Sequence, residues 1–222
     1  MEWIRGGVNP FMISLKLAKK GIENVMKSQD FKMLWQVTFY SDLMRIIKSD
    51  KKITVVTRDA YERYYGMRQA RLSDTWLNKY FDTANKYLCA SENDKKNLTL
   101  EVLMTEVGSD GNSVQFSFVS KLFHTIKNDE PIYDRYVREF LGVKSPHGKN
   151  ADDRKASAIE IYSVDIKSGF YENDDYRKLR ILMLEVFSEK CVNAENISDI
   201  KKIDFVLWAL GRQGKKITDF IR

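Results

Sequence analysis

The stretch Ser117–Gly142, SFVSKLFHTIKNDEPIYDRYVREFLG, decides how the rest of the chain is read. With Val114 and Phe116 just before it, Phe118 and Leu122 track one face while Val119, Phe123 and Ile126 cover a flank. That is the spacing of an amphipathic helix, about 3.6 residues per turn. The charged turn NDEP breaks the pattern, and Pro131 precedes a second helix running from about Asp134 to Leu141. Two features stand out against this plain reading. Lys121 falls between apolar neighbours on both sides, and Asp134 opens the second helix. Asp134 suits an N-cap, whose carboxylate accepts backbone N–H groups. Lys121 either runs its stem along apolar surface to reach water or sits desolvated, as a Schiff-base nucleophile requires.

The same period runs outward in both directions. Asn9 and Pro10 read as the N-cap and first position of a helix carrying Phe11, Leu15, Ala18, Ile22 and Val25 on one stripe. Asp30 is placed to cap the next. KKITVVT, Lys51 to Thr57, is β-branched like a strand. It has no second run to pair with, so an extended connector is expected, with Thr57 or Asp59 opening the following helix. Ser73 opens DTWLNKYFDTANKYLCA, SENDKKN reads as a loop, and Thr99 or Asn97 begins LEVLMTEV, which ends at Gly108. GVKSPHGKN is the strongest linker signal. It divides a helical core, 1–145, from a C-terminal helical portion, 146–222, which is either a lobe or packed back as one domain. Two further helical runs follow. Ser198 then caps DIKKIDFVLWALGR, whose apolar face is Ile200, Ile203, Val206, Leu207 and Leu210, with Gly211 or Gly214 ending it. The expectation is an all-α fold of eight to ten helices.

Composition narrows the function classes. A chain of 222 residues, 43% apolar and 31% charged, builds its own core without disulfide or metal. Only three prolines interrupt it, which suits long helices. No window approaches the roughly 18 apolar residues of a membrane span. Cys89 and Cys191 form no CxxC pair, and the N-terminal stretch lacks an apolar signal core, so a cytoplasmic, reducing setting is expected. The net charge of +6 is compatible with nucleic acid or another anionic partner, and equally with a bland basic protein. His124 and His147 have no zinc-ligand spacing. The phosphate loop, dinucleotide fingerprint, nucleophile elbow and EF-hand patterns are absent. No cofactor is expected.

Two further groups are candidate nucleic-acid contacts. Gly108, Gly111, Asn112 and Ser113 lie in EVGSDGNSVQFSF, where a glycine-bearing hairpin before a helix start offers backbone N–H groups to a phosphate. A tight helix connection explains the same residues. Arg58, Arg63, Arg68 and Arg71 interleave with Tyr61, Tyr64 and Tyr65. That mixture suits phosphate contact and base stacking, and equally a solvated face over half-buried tyrosines.

VQFSFVSKLFHTI with PIYDRYVREFLG resembles a family of prokaryotic all-α proteins sharing an FSFxxKLxHxxx…PIYDxxVxxFxG segment. YERYYGMRQARLSDTWLNKYFD and SDIKKIDFVLWALG extend the resemblance to roughly a third of the chain. That family is in turn distantly similar to helix-hairpin-helix DNA glycosylases of the 8-oxoguanine type. The resemblance implies a hairpin at Gly108–Ser113 and a catalytic carboxylate at Asp134. In bifunctional members it also implies a lysine that attacks the sugar. Here that lysine would be Lys121, about two turns into its helix, whereas Gln115 stands nearer the family's place for it. DNA is the implied partner. A non-enzymatic module binding a protein or nucleic acid is the competing expectation.

Overall fold

Side-chain caps decide where most helices begin. The computed structural model describes residues 13–28, 30–111, 113–191, 194 and 196–221, without the side chains of 28 and 30–32. Asn9 and Pro10 lie outside the described residues. The first helices are α1 (Leu15–Ser28) and α2 (Asp30–Asp50), so Asp30 is helical and not ahead of the helix. The β-branched run does not stay extended. Thr54 caps α3 (Val55–Tyr64) in a reciprocal box, with its N–H donating to Thr57 Oγ1 at 2.7 Å and the N–H of Thr57 donating back at 3.4 Å. Asn85 holds Ile53 by its N–H at 2.6 Å and its carbonyl at 3.3 Å, which presents Thr54 in the extended conformation a cap needs. A satisfied helix end outweighs the weak strand propensity of two valines.

SENDKKN also turns helical. Ser91 caps α5 (Glu92–Asn97), whose acidic first turn and basic last turn both suit the helix dipole. Between these lies α4 (Asp74–Leu88), capped by Ser73. The chain continues through α6 (Leu100–Val107), α7 (Phe116–Ile126) and α8 (Arg135–Leu141). After the Pro146 segment come α9 (Ala151–Glu160), α10 (Arg177–Lys190) and α11 (Asp199–Arg212). Directly after α9, residues Ile161–Tyr171 widen into a π-helix that closes with the Glu172 N–H donating to the Lys167 carbonyl at 2.9 Å. Among the described residues there are thus eleven α-helices, ten of seven residues or more, and no strand. The protein is all-α.

The helices on either side of Pro146 share one hydrophobic core. α10 and α11 pack on α1, α11 lies along α8, and α6 packs against α4 and α7. The core is rich in tyrosine. The hydroxyl of fully buried Tyr61 sits 3.0 Å from those of Tyr80 and Thr125, and Tyr80 donates to the Phe118 carbonyl at 3.0 Å. These bonds tie α3 and α4 to α7.

The approach of α11 to α8 depends on Gly211. This residue is inside α11 and does not end it. A Cβ there would stand 2.0 Å from the Tyr136 carbonyl oxygen. Gly214, at φ +70°, makes the actual stop: Lys215 N–H returns to the Leu210 carbonyl and Gly214 N–H to that of Gly211.

Candidate functional site

The turn between α7 and α8 is held by three polar contacts, two of them to α7. His124 Nδ1 meets the Glu130 carbonyl at 2.6 Å, and Tyr133 N–H donates to Ser120 Oγ at 3.1 Å. The Tyr162 hydroxyl donates to the Pro131 carbonyl at 2.9 Å from the π-helical segment. These contacts fix the residue that follows, Asp134. Its Oδ1 accepts the Tyr136 N–H at 2.9 Å as the α8 cap, and its Oδ2 lies 3.3 Å from Lys121 Nζ. Lys121 is buried at 9% exposure, and its ammonium also donates to Ser117 Oγ at 3.1 Å. The cap and the lysine of the opening stretch are therefore one ion pair.

A second pair faces the first. Lys201 Nζ donates to Asp204 Oδ2 at 2.6 Å, with both side chains almost wholly buried. Lys201, Asp204, Phe205 and Trp208 recur at i, i+3, i+4 and i+7, so α11 presents all four on one stripe. Between the pairs is a cavity of about 240 Å³, with Tyr64, Tyr65, Phe205 and Trp208 supplying aromatic surface and Gln36 a polar edge. A dry cavity of roughly 150 Å³ already admits benzene, so this one has room for a single planar ring system. The Lys201 ammonium is surrounded by rings, 4.7 Å from the centroid of Phe205, 5.0 Å from Tyr40 and 6.0 Å from both Tyr64 and Tyr65. Tyr65 also faces Lys121, at 5.8 Å.

The cavity wall carries unused hydrogen-bonding capacity. Among the described residues, Asp204 Oδ1 and the hydroxyls of Tyr65 and Tyr171 are buried without a partner. Such atoms are rare, because each forgoes its bonds to water for nothing in return. Asp204 and Tyr65 line the cavity. Burial pushes the Asp204 carboxyl above its usual range, with Lys201 pulling it back down. Burial also raises Tyr64 and Tyr65, so both stay protonated as donors.

Behind this wall, His124 holds Tyr40 in place. The Glu130 carbonyl only accepts, so Nδ1 carries the proton and Nε2 accepts from the Tyr40 hydroxyl at 3.0 Å. Burial first, then the Lys201 charge, push the imidazole down to about 3. An unfolded histidine titrates near 6.5. His124 therefore contributes fully to stability above about pH 6.5, and that contribution is lost progressively as pH falls toward 3, because only the unfolded chain takes up the proton. The loss at pH 5 is about 2 kcal/mol. The raised Asp204 carboxyl works in the opposite direction. Urea unfolding at pH 7.5 and pH 5 measures the net slope. In His124→Gln the histidine part of that slope should disappear.

The other sequence candidates lie elsewhere. Gly108 ends α6, and its carbonyl accepts from Trp76 Nε1 at 3.0 Å. In the hairpin, Asp110 and Ser113 direct their N–H groups to each other's carbonyls at 3.0 and 3.1 Å, while the Asp110 carboxylate binds Ser73. Gly111 occupies the left-handed turn position at φ +59°, and Asn112 lies outside the described residues. α7 begins only at Phe116, with no side-chain cap. Ser113 borders a separate cavity beside Gln115 and Pro146. Arg68 is ion-paired with Asp59 and, at 3.8 Å, Glu62, while Arg58 and Arg63 take the same two carboxylates. The tyrosines between them turn inward.

Sequence reasoning placed Lys121 and Asp134 but passed over Lys201, Asp204, Phe205 and Trp208. The signal was a polar-aromatic stripe beside the apolar face of that helix. No group of three metal-ligating side chains occurs among the described residues, and no described helix is long and apolar enough to cross a membrane. Comparison with protein-family models, curated proteins and solved structures returned no match.

Proposed function

We propose that the protein excises a base from DNA, with Lys121 and Asp134 as the reacting groups and the Lys201–Asp204 side of the cavity holding the base. One observation carries this reading: a lysine and an aspartate 3.3 Å apart form part of the wall of an aromatic cavity sized for one planar ring. The net charge of +6 favours the phosphate backbone. A nucleotide turned out of the stack would place its base between the rings. There Asp204 Oδ1 accepts an N–H from the base edge, and the Tyr65 hydroxyl donates to a carbonyl or ring nitrogen. Neither Cys89 nor Cys191 is in a disulfide, which fits a reducing cytoplasm.

The chemistry balances without a cofactor. As the C1′–N bond breaks, its electron pair leaves with the base, and the Asp134 carboxylate stabilises the positive charge growing on the sugar. The Lys121 ammonium gives up one proton, which the departing base takes, and the freed amine pair bonds to C1′. Opening of the sugar ring moves a proton to O4′ and leaves a Schiff base on Lys121.

Borohydride trapping on duplexes carrying abasic sites and damaged bases tests this directly. A covalent adduct is expected with the parent protein and none with Lys121→Ala. Asp134→Asn keeps the cap, because asparagine caps as well as aspartate. It should stay folded, with lower stability because the partly buried Lys121 ammonium loses its counter-charge, yet lose about 100-fold in excision. A parent protein that forms no adduct and excises no base would leave the alternative, a binding module whose Lys121–Asp134 pair only braces the turn.

A further inference from the structure

An aromatic ladder runs from the cavity to the surface. Tyr64, on the cavity wall, stacks on Phe39 with ring centroids 5.9 Å apart and planes at 18°. Phe39 stacks on Trp35 at 5.1 Å and 25°. Trp35 is 57% exposed. A single exposed apolar side chain is ordinary on any protein surface. Trp35 differs in two ways. Its rear face is braced by a half-buried ring in near-parallel register, so the indole is pre-oriented. Its neighbour on α2, Gln36, lines the cavity itself.

We infer that Trp35 is a stacking platform for the nucleobase next to the one in the cavity, which makes a strand with an unpaired or unstacked neighbour the preferred substrate. The inference rests on the DNA reading above. Every base has a π-face, so an indole held flat at the outer end of a ladder that starts on the cavity wall binds a flanking base whatever its sequence. Ring separations near 5 to 6 Å lie within the favourable range for aromatic pairs of about 4.5 to 7 Å. The added base would extend a stack that Tyr64 and Phe39 have already begun. The net positive charge keeps the phosphates between the two bases close to the protein.

The test uses DNA with a tetrahydrofuran abasic-site analogue and 2-aminopurine on its 5′ or 3′ side, in single strands and in duplexes. With the parent protein, 2-aminopurine on one side should be quenched on binding, and single strands or mismatched flanks should bind more tightly than fully paired ones. Trp35→Ala should lose the quench and bind about tenfold more weakly. Trp35→Phe should keep most of both. The Lys121-dependent adduct, trapped in a parallel reaction on DNA with a natural abasic site and measured per bound complex, should be unchanged in either variant. If Trp35→Ala quenches and binds like the parent while the adduct still forms, the platform is refuted and the base-excision reading stands. If no DNA is bound by the parent at low salt, both fail together.

Discussion

Gly211→Ala is expected to lower the melting temperature by about 4 to 8 °C, against a usual gain from replacing glycine in a helix. Alanine in a helix interior is favoured by about 0.8 to 1 kcal/mol on backbone grounds. Here the new Cβ would meet the Tyr136 carbonyl oxygen at 2.0 Å, its carbon at 2.6 Å and the Tyr136 Cα at 3.0 Å. All three are backbone atoms, so no rotamer change relieves the clash. α8 and α11 must move apart, and overpacking of this kind costs about 3 kcal/mol. Gly214→Ala is the control. It meets nothing within 4 Å, so only the positive φ is penalised, at about 1 kcal/mol. Thermal unfolding of the two variants separates a packing glycine from a turn glycine. Separation of the helices would also carry Asp134, at the start of α8, away from the α11 wall. Gly211→Ala should therefore lose Lys121 adduct even at temperatures where it remains folded.

Much of the fold was legible because its signals are local. The 3.6-residue stripes of α7 and α11 are read off the chain directly, and Ser73, Thr99, Asp134 and Ser198 cap where their chemistry places them. The failures are equally physical. Thr54 won the start of α3 through a contact with Asn85, far away in sequence, that no window over KKITVVT contains. SENDKKN is polar all round, and its helix depends on the Ser91 cap and favourable end charges, not on an apolar stripe. Of the two glycines read as the end of α11, Gly214 makes the stop and Gly211 does not, because composition cannot tell a glycine that turns from one that lets another backbone approach. At the site, Lys121 and Asp134 were conspicuous because each broke a local pattern. Lys201 and Asp204 broke none: a lysine and an aspartate three residues apart on a helix usually form a solvated pair. Only the packing of α11 against α8 and the tyrosines of α2 and α3 buries them.

That burial makes Lys201→Met the substitution with the largest expected cost. The Lys201 and Asp204 side chains are 5% and 6% exposed, so removing the ammonium leaves a carboxylate with neither partner nor water. Breaking a buried pair from one side costs about 3 to 5 kcal/mol. Methionine keeps the stem volume and packs its sulfur against Phe205 and Tyr40, so the loss reports the charge and not a cavity. The pH dependence follows from the raised Asp204 carboxyl. Without the Lys201 charge that pulls it down, the carboxyl rises further, and its destabilising charge is relieved as pH falls through the folded-state value, so Lys201→Met should recover more stability toward acid than the parent does. The double variant Lys201→Met with Asp204→Asn carries no orphaned charge and should regain most of the loss at neutral pH. It also separates structure from base recognition. On an abasic site, where no base occupies the cavity, the double variant should still form the Lys121 adduct. On DNA with a base to be removed, it should trap far less than the parent. Equal trapping on both substrates would mean that the Lys201–Asp204 pair holds α11 in place and does not read the base.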